Sequence, residues 1–199
     1  MATSKNIAIK GAILSYPNIY QHELFEGKET DKPQHSAVLL FDDQETYDLI
    51  IEMSKTIGIE EFGSEKKFPR GYPEKTERFC VKEITLTKED DGIDFDGWAI
   101  KAKGGTLRSG AAKRIATYDR ENNLVTEDDG TNVGNGIFYP GCRVDAQISM
   151  WTSKTYKHAR SNLLLVRFAG DGEVLGGNGG PNVTDLLDEL GEVDAEADI

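Results

Sequence analysis

"CRVDAQISMWTSKTYKHARSNLLLVRFA", residues 142–169, is the stretch whose reading decides the fold. Successive side chains of a strand point to opposite faces. In the first ten residues Cys142, Val144, Ala146, Ile148 and Met150 share one wholly apolar face, while Arg143, Asp145, Gln147, Ser149 and Trp151 share the other. In "NLLLVRFA" (162–169) the same alternation predicts Leu164, Val166 and Phe168 inside, opposite Leu163, Leu165 and Arg167. Such alternation marks antiparallel strands with one face on a core. Between them lies "WTSKTYKHARSN" (151–162), in which Lys154, Lys157 and Arg160 interleave with Trp151, Tyr156 and His158, without one acidic residue. The stretch reads as a hairpin with a cationic, aromatic tip.

The same pattern extends outward. Strand-type runs occur at 6–16, 35–41, 78–86, 97–103 and 114–119. Asp-Gly at 91–92, 96–97, 129–130 and 171–172 and Asn-Gly at 135–136 favour the positive φ of tight hairpin turns. In "GWAIKAK" (97–103) Trp98, Ile100 and Ala102 are expected in the core and Lys101 and Lys103 on the opposite face. One helix interrupts the strands: "DDQETYDLIIEMSKTIG" (42–58) has Asp42 and Glu45 at capping-box spacing. Tyr47, Ile50, Ile51, Met53 and Ile57 gather on one side, and Gly58 is the expected stop. Residues 60–77, with two prolines and two glycines, read as a long loop. The reading is a mainly β domain with one helix.

The 199 residues carry a net charge of −12, but the acid is uneven. Residues 181–199 hold seven acids and no base; removing those from the chain's 35 leaves 28 against 23 bases. After "GGNGGPN" (176–182), whose glycines lower chain stiffness, this segment is too short and too charged to fold alone. The expected division is a folded domain over 1–177 and a flexible acidic tail over 178–199. No apolar run reaches the roughly 20 residues of a membrane span, and "MATSKNIAIK" lacks a signal-type apolar core, so a cytoplasmic setting is expected. Cys80 and Cys142 then read as buried free thiols.

Catalytic signatures are weak. His22, His35 and His158 are far apart and never at metal-ligand spacing. "GGTLRSGAAK" (104–113) fails as a phosphate loop because Ala111 and Ala112 stand where Lys and Ser/Thr are needed. The "EDDG" pairs at 89–92 and 127–130 sit beside turn residues and read as solvated tips rather than a nuclease centre. No catalytic residue, metal or cofactor is assigned. The cations carry more information. Residues 97–118 hold five bases and no acid, and 146–170 hold four bases and no acid. A groove for a single-stranded polyanion pairs cations, for phosphate, with rings on which unpaired bases stack. The candidates are Lys101, Lys103, Arg143, Lys154, Lys157, Arg160 and Arg167 for phosphate and Trp151 and Tyr156 for stacking, with Lys113 and Arg114 as secondary candidates.

"IKGAILSYPNIY" (9–20), then "HSAVLLF", "FYPGCRVDAQISMW" (138–151) and "VRFAGDGEVLGG" (166–177) before an acidic tail resemble, in that order, phage-encoded single-stranded-DNA-binding proteins. The resemblance implies an oligonucleotide-binding (OB) fold, a five-stranded Greek-key β-barrel with inserted loops and a helix. It implies a non-catalytic protein that coats single-stranded DNA during phage replication, recombination or repair in the host cytoplasm. It also implies that the tail, through Asp185, Asp188, Glu189, Glu192, Asp194, Glu196, Asp198 and Ile199, contacts replication or recombination proteins and competes with DNA. Ile199 stands where some of those proteins end in an aromatic residue. A homodimer is compatible with the sequence, and the alternative function is a structural or protein-interaction module, such as a small virion component.

Overall fold

A computed structural model of the chain describes residues 1–20, 34–75, 78–105, 107, 109, 111–126 and 136–175. His22, the second "EDDG" pair and the tail at 178–199 lie outside them. In chain order the elements are β1 (Ala2–Asn18), β2 (Ser36–Phe41), α1 (Gln44–Phe62), a 3₁₀ turn (Glu65–Lys67), β3 (Val81–Leu86), the one-turn α2 (Lys88–Asp91), β4 (Phe95–Lys103), β5 (Ala116–Tyr118), β6 (Arg143–Thr152) and β7 (Arg160–Gly170). Each of the seven strand-type runs is a strand.

The pairings close a ring. β1 lies antiparallel between β2 and β6, β2 pairs antiparallel with β4, and β6 with β7. A short parallel junction, Ala102 beside Ser161 and Lys103 beside Asn162, joins β4 to β7. The closed order β1-β2-β4-β7-β6, with one parallel seam, is the five-stranded Greek-key barrel of the OB fold. Beyond the ring, β3 folds back on β4 and β5 lies parallel to β7. The seam is short because β3 and β5 occupy the rest of those two strand edges, so the barrel is partly open there.

Alternation predicts most of the core. Cys142, Val144, Ala146, Ile148 and Met150 are all buried, as are Ile100 and Ala102. Each large aliphatic side chain so buried contributes about 1.5–3 kcal/mol. β7 departs from the prediction. Leu165 pairs with Gln147 but Leu163 with Ile148, so Leu164 is an extra residue in the ladder. This β-bulge resets the pleat: Leu163 is buried beside Val166, and Leu164 is only half-buried. Phe168 keeps its inward side, edge-on to Phe138 at 6.2 Å. Trp98 is half-buried rather than deep in the core; it stacks on Tyr47 at 4.6 Å and so joins α1 to β4.

The helix starts one residue later and ends five residues later than expected. Asp43, not Asp42, is the N-cap and accepts from the Thr46 N–H at 2.9 Å. Gly63 at φ +88° ends the helix. Gly58 is buried inside it because Tyr72 and Phe68 press on its Cα; an added Cβ would stand 2.7 Å from the Tyr72 ring. That ring comes from the 60–77 segment, which packs Phe62, Phe68 and Tyr72 together and donates from the Tyr72 hydroxyl to the Ser54 carbonyl at 2.8 Å. Two expected hairpin glycines also differ: Gly92 caps α2, and Gly97 lies within β4 opposite Ile84.

Candidate nucleic-acid interface

β4 places Lys101 and Lys103 on the outer face because Ile100 and Ala102 must face the core. β3, paired to the same strand, brings Lys82 alongside, and Arg78 and Phe79 precede it. Across the parallel seam β7 begins with Arg160, which pairs with Trp151 at the end of β6. These side chains line a cleft of about 680 Å³ over the seam, together with His158 and Asn162. Among the described residues its lining includes five cationic side chains (Arg78, Lys82, Lys101, Lys103 and Arg160) and no Asp or Glu. A water-filled cleft lined by one sign of charge concentrates counter-ions of the other.

The loop between β6 and β7, residues 153–159, is held from within and from outside. The Lys157 N–H donates to the Ser153 carbonyl at 2.8 Å, and the Thr152 hydroxyl donates to the His158 carbonyl at 3.1 Å. From α1, the Glu61 carboxylate accepts from the Lys154 N–H at 3.1 Å. The rings then assemble around Arg160. Its guanidinium lies 4.2 Å over Tyr156 and 5.6 Å from the centre of Trp151, and those two rings meet edge to face at 5.5 Å. Arg160 Nε donates to His158 Nε2 at 2.8 Å, so the imidazole is neutral and its Nδ1–H donates to the Tyr156 carbonyl. Burial holds His158 below the usual histidine pKa, and the positive charges of Arg160 and Arg78 add to this against the Tyr156 hydrogen bond.

Of the residues singled out in the sequence, Lys101, Lys103, Trp151 and Arg160 line the cleft. Tyr156 backs Arg160, and Lys154 and Lys157 are exposed on the loop beside it. Lys113 is exposed near the rim, its N–H donating to the carbonyl of Gly105 at 2.7 Å. The others are placed elsewhere. Arg114 lines a separate hollow with Tyr20 and Ile115. Arg143 shares the outward face of β6 with Trp151 but lies eight residues away, roughly 26 Å along a strand. It donates to the Gly11 carbonyl at 3.1 Å, beside a hollow that also holds Asp42, Asp94, Asp96 and Glu173. Arg167 pairs with the Asp145 carboxylate and donates to Asn122 at 3.1 Å. Asp145 also accepts from the Gly11 N–H at 2.9 Å, at the β1 bulge where Gly11 takes φ +63°. Arg143 and Arg167 thus brace a bulge.

Arg78, Phe79 and Lys82 were not legible as cleft residues. Arg78 and Lys82 share a signal of parity, alternating with Cys80 along one face of "RFCVKEITL", while Phe79 falls on the opposite, buried face. Only the β3–β4 pairing shows that the face of Arg78 and Lys82 continues the one bearing Lys101. The cysteines are free thiols, and burial pushes Cys80 up to about 12 and Cys142 up to about 11. Among the described residues no three His, Cys, Asp or Glu side chains group to hold a metal ion, and no helix is long and apolar enough to cross a membrane.

No protein-family model and no curated protein sequence matches the chain. Solved structures do match. The single-stranded DNA-binding protein from bacteriophage Enc34 in complex with ssDNA aligns with a TM-score of 0.59 at 20% identity, over 86% of this chain and 89% of that one. A second structure of the single-stranded DNA-binding protein from bacteriophage Enc34 aligns with a TM-score of 0.54 at 20% identity, over 92% of this chain and 89% of that one.

The chain has the fold of a phage single-stranded-DNA-binding protein.

In an OB barrel, oligonucleotides meet the face of the second and third ring strands and the loops joining strands one to two and four to five. Here those strands are β2 and β4, and the four-to-five loop is the 153–159 segment beside the cleft.

Proposed function

We propose that the chain binds single-stranded DNA, tolerant of sequence, along the cleft over the β4–β7 seam. The observation that supports this best is the lining itself: among the described residues, five cations, two rings meeting edge to face beside them and no carboxylate, at the oligonucleotide-binding position of an OB barrel. Arg78, Lys82, Lys101, Lys103 and Arg160 contact phosphates, Trp151 stacks on a base, and Lys154, Lys157 and Lys113 extend the cationic path. No base-edge reader is required, because cations follow the backbone and every base offers a π face.

On this reading the protein is a binder rather than an enzyme. It coats exposed single strands during phage replication, recombination or repair in the host cytoplasm, alone or as a homodimer. The acidic segment 178–199 contacts replication or recombination proteins and competes with DNA for the cleft.

Retention on single-stranded oligonucleotides, compared with duplex DNA and RNA as salt is raised, tests the proposal. Five phosphate contacts correspond to a slope of log K against log salt of about −3.5. A chain lacking 178–199 is expected to bind more tightly, most visibly at low salt. Equal affinity for duplex and single strand, or a flat salt response, overturns the assignment and favours a protein-interaction module.

A further inference from the structure

The cleft contains one interaction that a simple cationic groove does not need. Arg160 carries its charge beside two rings and would swing freely on its long side chain if only stacking held it. Its Nε is instead bonded to the ring of His158, a buried residue whose other nitrogen is committed to the Tyr156 carbonyl. The acceptor is neutral. A carboxylate in that place would hold the arginine equally well but cancel its charge, as Asp145 does for Arg167. Among the described residues the Arg160 terminal nitrogens take no protein partner.

We infer that His158 is a positioning residue: it fixes the Arg160 guanidinium by Nε, so that the fork of Nη1 and Nη2 meets one phosphate of a single strand with two donors. This rests on the nucleic-acid reading of the cleft. An arginine fork matches phosphate geometry when both terminal nitrogens are free to donate together. Pinning Nε lowers the rotamer freedom lost when the phosphate arrives. Protonation of His158 ends the arrangement, since an imidazolium has no acceptor and repels the guanidinium. The charged groups acting on the ring are Arg160 itself and Arg78, both of which oppose that protonation.

Two readouts on the full chain separate this inference from the reading beneath it. The first needs no DNA: the ¹⁵N resonance of Arg160 Nε–H, assigned by its loss in Arg160→Ala. It is expected to be protected from exchange in the parent chain and in His158→Gln, whose amide oxygen can accept. It is expected to be exchange-broadened in His158→Phe, which keeps ring volume but has no acceptor. On acidification the parent resonance should shift at a pH below the ordinary histidine value of about 6.5, and that of His158→Gln should not shift. The second readout is affinity for an oligo-dT strand at neutral pH. A loss of about three- to tenfold is expected in His158→Phe, with most of it restored in His158→Gln and no further loss when His158→Phe is added to Arg160→Ala. Nε–H protection that survives in His158→Phe, or an equal loss of affinity with and without Arg160, overturns the positioning role. Undiminished binding by Arg160→Ala overturns the phosphate contact and the positioning role with it, whereas failure of the parent chain to bind oligo-dT overturns the nucleic-acid reading beneath them.

Discussion

Arg160 and Arg167 lie seven residues apart on one strand, and both are half-buried and held by hydrogen bonds. Arg167 is held by a carboxylate, and Asp145 in turn grips the bulge at Gly11. Arg160 is held by a neutral imidazole and two rings. A cation whose holder is an anion has spent its charge inside the fold, whereas one whose holder is neutral still offers that charge to a ligand. The partner of each arginine, more than its exposure, separates the candidate interface from the brace.

The largest expected effect is on the side of the cleft. Trp151→Ala should weaken single-strand binding by about 1–3 kcal/mol if a base stacks there, roughly 5- to 150-fold in Kd. Fluorescence anisotropy with labelled oligo-dT measures it, and an unchanged Kd removes Trp151 from the interface. Lys101→Glu comes next, weakening binding severalfold and making the salt slope shallower by at least about 0.7, the share of one phosphate. If the slope stays put, Lys101 has no phosphate partner.

Smaller effects are expected on the side of the brace, in a different observable. Arg167→Ala should leave the oligo-dT Kd within about twofold while lowering stability by about 1 kcal/mol, a few degrees in Tm for a domain of this size. A drop in affinity with an unchanged Tm would reverse the roles of the two arginines. The smallest effect is in acid. Although burial pushes the Asp145 carboxyl up, the Arg167 guanidinium, the Gly11 N–H and the charge of Lys10 together hold it below the usual carboxylate range. Its contribution to stability is therefore complete above the unfolded value of about 3.9 and is lost as pH falls through the lower folded value. Acid unfolding of Asp145→Asn should lack that component, and profiles superimposing after normalisation would show that the brace adds no acid sensitivity.

Much of the barrel was legible because a strand with one face on a core must alternate. That rule located the interior of β6, the outward Lys101 and Lys103, and Trp151 on the polar side. It failed at Leu163 and Leu164 because a bulge adds one residue, so the parity before Leu164 is opposite to that of Val166 and Phe168 after it. Gly58 misled for a different reason: a helix glycine can mark an end or make room for a ring, and the Tyr72 ring that decides the matter arrives from a segment read as loop. Arg143 shares a face with Trp151, but a common face says nothing about distance along the strand.

By itself the sequence determined which residues face inward, where the cations collect and which segment is acidic, since these follow from side-chain polarity and the pleat. The tertiary structure alone decided which cations meet. Closing β4 on β7 brings Lys101 and Lys103 to Arg160, and folding β3 onto β4 adds Arg78 and Lys82. The same closure leaves Arg143 and Arg167 at the far end of the barrel, tied to backbone and to Asp145. Charge is written residue by residue, but whether it is neutralised depends on which side chains long-range strand pairing sets within hydrogen-bond reach.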